Sequence, residues 1–261
     1  FVRTNKQESR FVQRTNDYFI VYLSSHNGCN KSCRFCHLTQ SKQTDFIETE
    51  LEEFYEQARY PLAHYRELLE KGQEPANKVH FNFMARGEPL ASKILLNNMK
   101  ELVSGLKNEI NDLNLNANFN ISTIGPKEIE NLEFTDIFKD NIEDVTLYYS
   151  LYSVDEDFRK RWIPKSLPVE QMLAKLKKWQ DAGGKIALHW AMIKGENDKV
   201  EDIQAVIDKL RDFEIKAKFN LVRYNPFSDQ QGIESDEEIL QERFSLLANY
   251  LKDPHSRIVP R

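Results

Sequence analysis

The sequence has few cysteines: three among 261 residues, all between positions 29 and 36. A secreted disulfide scaffold spreads an even number of cysteines along its chain, so this class of protein is excluded. Three clustered thiols instead indicate a metal centre. The sequence also lacks an apolar run that could cross a membrane, and it lacks a signal-peptide pattern at its start. These absences predict a soluble, cytoplasmic protein with no membrane partner.

A surplus of basic residues is missing as well. The chain has 36 Lys and Arg against 41 Asp and Glu, which gives a formal net charge of −5. A protein that binds nucleic acid through overall charge is clearly basic, so that class is excluded, while a local basic groove is not. Neither a repeat nor a low-complexity tract is present. Because the chain starts at Phe1 and stops at Arg261 without natural boundaries, we expect it to be part of a longer protein.

Short β-rich runs alternate with helical patterns along the chain. Each run is rich in Phe, Tyr, Val or Ile, as strands prefer. The predicted strands are Tyr18–Ser25, Lys78–Met84, Ala117–Ile124, Asp144–Leu151, Lys185–Ile193 and Lys216–Tyr224. The predicted helical segments are Glu48–Lys71, Ser92–Ile110, Pro126–Lys139, Val169–Ala182, Val200–Phe213 and Asp236–Leu251. Gly183 and Gly184 are expected to end the fourth of these segments as a C-cap.

This alternation predicts an α/β fold with parallel strands and right-handed crossovers. Six strand–helix units, with polar residues clustered after the strands, favour a partial (β/α)6 TIM-like barrel over an open doubly wound sheet. We predict an N-terminal extension at residues 1–17 and the barrel at residues 18–261, with a C-terminal tail missing.

The cysteines follow the first predicted strand with the spacing C-x3-C-x2-C, at Cys29, Cys33 and Cys36. Three thiolates on a four-iron cluster leave one iron open. That iron can take the amino and carboxylate groups of S-adenosylmethionine (SAM), and one electron then cleaves SAM to a 5′-deoxyadenosyl radical. The alternative is a zinc site completed by His37 or His26. Structural zinc sites usually bring two separated ligand pairs, and the chain has no second pair.

Further candidate site residues follow other strands. Glu88, beside Gly87 and Pro89, could receive an ammonium group, and Phe35 suits an aromatic wall beside the cluster and an adenine. Ser122, Ser150 and Asn225 lie at strand ends, where they could bind SAM or could simply cap turns. Together, at one end of a barrel, they favour a ligand site.

The chain resembles the RlmN/Cfr family of radical SAM methyltransferases, which modify adenine at C2 or C8 in ribosomal and transfer RNA. The residues that carry the resemblance are Cys29 to Cys36, Gly87-Glu88-Pro89, Ser122-Thr123, Ser150-Leu151 with Arg159 and Pro164, Asn197-Asp198, Asn220-Leu221 and Asn225-Pro226-Phe227. The resemblance implies a partial (β/α)6 barrel. It also implies that Glu88 binds the SAM amino group, that Ser122 and Ser150 bind its polar groups, and that Asn225 reads its adenine.

The chain departs from the family pattern at two cysteines needed for methylation. The methyl-accepting cysteine of the family lies after the last helix, beyond the position of Arg261. The cysteine that resolves the protein–RNA crosslink precedes the first cluster cysteine by seven residues, where this chain has Tyr22. A phenol cannot form that disulfide. Tyr152 also stands where the family usually has His.

The sequence therefore predicts a radical SAM enzyme that modifies an RNA base by methylation, with adenine in transfer or ribosomal RNA as its target. A flavodoxin-like protein is the expected electron donor. The second hypothesis is a radical SAM enzyme that acts on a nucleotide, DNA base or peptide without methylation. The third is a non-catalytic iron–sulfur or zinc scaffold.

Overall fold

A computed structural model describes residues 1–13 and 15–260. Arg14, in the predicted extension, and Arg261, at the end of the predicted barrel, lie outside the described residues. The strands are β1 (Arg10–Gln13), β2 (Tyr18–Tyr22), β3 (Lys78–Phe83), β4 (Asn116–Thr123), β5 (Val145–Tyr149), β6 (Lys185–Trp190), β7 (Lys218–Leu221) and β8 (Arg257–Ile258). The helices are α1 (His37–Gln40), α2 (Leu51–Glu70), α3 (Lys93–Asn97), α4 (Met99–Asn108), α5 (Phe134–Ile137), α6 (Glu156–Trp162), α7 (Val169–Asp181), α8 (Val200–Asp212) and α9 (Glu237–Leu251).

All six predicted strands are present, as β2 to β7, and the sheet order follows the chain from β1 to β8. All six of these strands end earlier than predicted. After β2, for example, the backbone N–H of Ser24 donates to the side-chain oxygen of Gln57 at 2.7 Å, and that of Ser25 to the carbonyl of Arg86 at 2.9 Å. These residues leave the regular strand ladder because their hydrogen bonds go to a helix side chain and a loop.

The predicted helical segment Ser92–Ile110 is divided into α3 and α4. Asn98 between them has φ −124° and ψ 23°, which is not helical, and its side-chain amide donates to the carbonyl of Ile94 at 2.7 Å. An asparagine side chain that satisfies a local carbonyl competes with the helix in this way. The predicted segment Pro126–Lys139 contains a 3₁₀ turn at Lys127–Ile129 and the short helix α5.

The chain divides into two compact units, of which the first comprises Phe1–Asn30, Thr44–Ser122 and Thr135–Thr146. In this unit β1 pairs antiparallel with β2, while β2, β3 and β4 are parallel. The sheet packs against α2, where Phe19 stacks on Tyr65 with ring centroids 4.1 Å apart and Phe54 contacts Phe83 at 5.6 Å. Strand β1 lies within the predicted N-terminal extension, whose boundary stays a prediction.

The second unit comprises Lys31–Gln43, Thr123–Phe134 and Leu147–Arg261. Here β6, β7 and β8 are parallel. Helix α7 ends as the sequence predicts: Gly183 takes the left-handed conformation with φ +93°, and Gly184 N–H donates to the carbonyl of Trp179 at 2.9 Å. In each unit the parallel strands place the residues that follow them at one edge, which is where the candidate site residues of that unit lie.

Candidate functional site

The cysteine loop follows β2 and carries three cysteines that form no disulfide. Cys29 is 9% exposed and belongs to the first unit, whereas Cys33, 7% exposed, and half-buried Cys36 belong to the second. In the second unit Ser32 takes a left-handed φ of +61°, and Cys36 N–H donates to the carbonyl of Cys33 at 3.1 Å. The loop thus turns tightly around its second and third cysteines.

The donor set of this loop fits an iron–sulfur cluster. Thiolates are the ligands that such clusters take, and none of the three cysteines forms a disulfide. Within residues 1–13 and 15–260, no three His, Cys, Asp or Glu side chains are arranged to hold a single metal ion. A four-iron cluster demands a different arrangement, because each thiolate binds its own iron.

His26 and His37, the two histidines considered as additional zinc ligands, lie in different environments. His26 is fully buried in the first unit, where its ring stacks on Phe46 at 3.7 Å and its Nδ1 lies 3.0 Å from the hydroxyl of Ser25. His37 is exposed at the start of α1.

Charged residues anchor the cysteine loop within the second unit. The Lys31 side chain is only 3% exposed and forms an ion pair with Glu128, whose side chain is 46% exposed. The Arg34 guanidinium lies over the Trp162 ring at 4.8 Å, and Arg34 N–H donates to the Trp162 carbonyl at 2.9 Å. Gln231 donates its side-chain amide to the carbonyl of Arg34 at 2.6 Å. These contacts could not be predicted from the sequence, because Lys31 and Glu128 lie far apart in the chain and no local pattern links them.

Phe35, predicted as an aromatic wall, stacks on Tyr152 with ring centroids 4.4 Å apart. Tyr152 follows β5 and has a left-handed φ of +58°, which is uncommon for a bulky residue and typical of strained functional segments. Asn197 holds this conformation by donating its side-chain amide to the Tyr152 carbonyl at 3.0 Å. Burial, together with the neighbouring Cys33, raises the pKa of Tyr152 well above its ordinary value.

The Gly87-Glu88 segment follows β3 in the first unit. Gly87 has φ +92°, and a β-carbon there would lie 2.5 Å from Nδ1 of His26 and 2.6 Å from the hydroxyl of Ser25. Only glycine therefore fits this position. The Glu88 side chain is nearly buried and accepts a hydrogen bond from Leu90 N–H at 3.3 Å. This contact contributes to the orientation of the carboxylate.

Ser122 and Tyr22 are both half-buried residues of the first unit. Ser122 is the second-last residue of β4, and Tyr22 is the last residue of β2, beside Asn82 of β3. Both lie near the ends of parallel strands, which the sequence predicts for Ser122.

Ser150 and Asn225 belong to the second unit, and their surroundings differ. The Ser150 hydroxyl lies 2.7 Å from Nε2 of His189, and burial lowers the pKa of His189 to about 4. The imidazole is therefore neutral at pH 7 and holds the serine hydroxyl without adding charge. Asn225 is exposed in the segment after β7.

Arg159, one of the residues that carry the family resemblance, organises the segment after β5. It is buried, and its guanidinium donates to the carbonyls of Leu151 at 2.9 Å and Leu167 at 3.0 Å, and to the hydroxyl of Ser166 at 2.9 Å. The backbone around Ser150 and Tyr152 is thus tied to the α6–α7 connection.

Helices of the described part of the chain are too short or too polar to cross a membrane. This finding agrees with the absence of a long apolar run in the sequence.

Comparison with known proteins identifies the family. The model of the radical SAM superfamily matches residues 23–210, which is most of the chain and includes the cysteine loop. Two similar curated proteins are the probable dual-specificity RNA methyltransferase RlmN of Prochlorococcus marinus, 27% identical over 83% of this chain, and the dual-specificity RNA methyltransferase RlmN of Wolinella succinogenes, 25% identical over 95% of this chain. The chain spans 57% and 63% of their respective lengths. The resemblance found in the sequence motifs is thereby confirmed.

A solved structure confirms the fold. A radical SAM methyltransferase from Sphaerobacter thermophilus superposes with a TM-score of 0.70 and 18% identity, covering 96% of this chain and 68% of that one. The predicted partial barrel is therefore correct. The chain belongs to the radical SAM superfamily, whose enzymes use a [4Fe–4S] cluster and SAM as cofactors.

Proposed function

We propose that this chain is the catalytic part of a radical SAM enzyme that methylates an RNA base, with adenine as its target. The observation that carries the proposal is the cysteine motif Cys29-x3-Cys33-x2-Cys36 within a chain similar to RNA methyltransferases over more than four fifths of its length. Transfer or ribosomal RNA is the proposed partner, a flavodoxin-like protein the proposed electron donor, and the cytoplasm the proposed location.

Cys29, Cys33 and Cys36 are the proposed cluster ligands, one thiolate for each of three irons. When bound, cluster and SAM together supply a one-electron cleavage that yields a carbon radical. The role of the chain's own residues is to bind and orient these two cofactors. Phe35 and its stacking partner Tyr152 keep the loop between the second and third thiols in place.

The proposed SAM contacts come from strand ends. Glu88 offers a carboxylate, next to the close backbone approach at Gly87, for the SAM ammonium group. Ser122 and Ser150 offer hydroxyls for the polar groups of SAM, and the neutral His189 orients the Ser150 hydroxyl. Asn225 is proposed to contact the SAM adenine.

Tyr22 supports the second candidate function, a radical SAM enzyme that modifies a nucleotide, DNA base or peptide without methyl transfer. Tyr22 stands at the position of the family's resolving cysteine, and a phenol cannot release a protein–RNA crosslink through a disulfide. The two functions differ in whether the methyl group of SAM reaches the substrate.

The test is anaerobic reconstitution with iron and sulfide, reduction with dithionite, and chromatography for 5′-deoxyadenosine. Methyl-labelled SAM is then supplied with transfer RNA and with ribosomal RNA. We expect SAM cleavage and labelled RNA. Cleavage without label in any RNA would overturn the methylation proposal and favour the second function. Cys33→Ala should abolish cleavage, whereas Ser41→Ala, at a half-buried position just after α1, should retain it.

A further inference from the structure

Three neighbouring strands of the first unit carry a row of polar side chains. The register places Tyr22 of β2 beside Asn82 of β3, and Asn82 beside Asn120 of β4. Directly paired residues in a sheet point to the same face, so these three side chains lie next to one another on one face.

The opposite face of the same strands is apolar. It presents Val21, Phe81, Phe83, Phe119 and Ile121, each at most 1% exposed. That face forms the core under α2, as the contact between Phe83 and Phe54 shows. The stability of the unit therefore comes from the apolar face, and packing alone gives no reason for amides on the other.

The amides of Asn82 and Asn120 form a directed network, and we call these two residues the amide pair. The side-chain nitrogen of Asn120 lies 2.6 Å from the side-chain oxygen of Asn82 and 3.1 Å from Nδ1 of His80. Its two N–H groups are used by these contacts, and this network assigns the orientation of both amides.

The same network determines what the amide pair presents to a ligand. The nitrogen of Asn82 and the oxygen of Asn120 take no part in these bonds. One residue thus offers a hydrogen-bond donor and its neighbour offers an acceptor. Asn82 is 6% exposed and Asn120 is 3% exposed, so a ligand group that meets them is shielded from water.

The amide pair lies close in sequence to the proposed SAM contacts of this unit. Asn120 precedes Ser122 by two residues on β4, so both side chains point to the same face of the strand. Asn82 lies near the end of β3, just before the Gly87-Glu88 segment. A ligand that meets the amide pair is therefore next to the residues proposed to hold SAM.

We propose that the amide pair recognises the edge of the target nucleobase by a donor and an acceptor side by side. The inference rests on the proposed function and assigns the residues that select its substrate. Adenine fits because its 6-amino donor has an acceptor nitrogen on either side, N1 and N7. Asparagine amides pair with adenine in the same donor–acceptor manner in nucleic-acid complexes.

The experiment measures RNA binding without chemistry. The reconstituted protein is saturated with SAM, so that the adenine base of the RNA cannot bind in the SAM site. No reductant is added. Binding of a fluorescent UUAUU oligoribonucleotide is compared with the same RNA carrying purine riboside, which lacks the 6-amino group, in place of adenosine. We expect the wild-type protein to bind the purine RNA at least about tenfold more weakly.

Asn82→Asp is the decisive variant. It keeps an oxygen to accept from Asn120 but replaces the donor that meets N1 or N7, which both RNAs possess, with an acceptor, so binding of both RNAs should weaken at least about tenfold. Asn116→Asp, at the exposed start of β4, makes the same change in charge and should retain wild-type binding of both RNAs. Thermal unfolding checks that both variants fold.

Equal binding of the two RNAs by the wild-type protein would overturn the inference, and this comparison needs no variant. Undiminished binding of the adenosine RNA by a folded Asn82→Asp protein would overturn it as well. If methyl label enters RNA while the wild-type protein binds the adenosine and purine riboside RNAs equally, the inference is wrong and the proposed function is supported. If the protein prefers the adenosine RNA but no label enters RNA, the methylation proposal is wrong and the recognition site is supported.

Discussion

Phe35 lies almost face to face with Tyr152, with ring centroids 4.4 Å apart and ring planes inclined by 15°. The contact joins a residue between two cluster cysteines to the strained residue that follows β5. Both residues pack against the same core cluster, which includes Trp162 and Tyr224. The position of the cysteine loop in the second unit thus depends on aromatic packing as well as on charged anchors.

Replacing Phe35 by Leu should loosen this loop. The variant retains apolar volume but loses the aromatic stack, which contributes about 0.5–1.5 kcal/mol beyond burial. We expect a loss of about 1 kcal/mol in the free energy of unfolding and faster loss of iron from the reconstituted protein. Urea unfolding and iron content after gel filtration measure the two effects. Phe35→Tyr keeps the ring and is the control; equal iron retention in the two variants would contradict this role.

The ion pair between Lys31 and Glu128 should respond unequally to loss of its two partners. Glu128→Gln removes the carboxylate that pairs with the buried ammonium of Lys31. We expect this to lower the free energy of unfolding by about 1–3 kcal/mol. Lys31→Met removes the buried charge and leaves an exposed carboxylate, which we expect to cost less than about 1 kcal/mol. Chemical denaturation of both variants compares them. A larger loss in Lys31→Met would show that Lys31 acts through contacts other than this pair.

Acidification should destabilise the protein through His189. Its pKa falls from 6.5 to about 4 on burial, so between these values the unfolded chain binds a proton that the folded chain does not. The free energy of unfolding therefore decreases as the pH falls from 6.5 to 4, by about 1–3 kcal/mol in total.

His189→Gln removes this titration and should flatten the pH dependence between pH 4 and 6.5. Unfolding free energies measured across that range for both proteins give the comparison. An unchanged slope would assign the acid sensitivity to other groups. The variant should also weaken SAM binding if His189 orients Ser150.

Arg159→Lys should destabilise the protein despite conserving charge. The guanidinium donates to Leu151, Ser166 and Leu167 at once, and a lysine ammonium cannot reproduce that planar fork. We expect a loss of about 2–3 kcal/mol, because buried carbonyls lose their donors. Thermal and urea unfolding measure the loss. Lys160→Arg on the exposed side of the same helix is the reverse exchange and should change stability by less than about 0.5 kcal/mol.

The sequence by itself determined the order of strands and helices, the partial-barrel fold and the family. These follow from local signals: β-rich runs such as Lys78–Met84, amphipathic helices such as α7, and the spacing of three cysteines. The C-cap at Gly183 was equally readable, because a left-handed residue after a helix favours glycine. Asparagines occupy every second position of β4 from Asn116 to Asn120, which matches the period of a strand, but their pairing partners have no local signal.

The tertiary structure alone decided the pairings. Lys31 and Glu128, Phe35 and Tyr152, and Ser150 and His189 are each separated by tens of residues, and no periodicity in the sequence links them. The register of β3 against β4 sets Asn82 beside Asn120 and directs their amides, since a shift by one residue would turn one of them to the apolar face. Local propensity fixes where strands and helices form, whereas burial and hydrogen-bond geometry between distant segments fix which side chains meet.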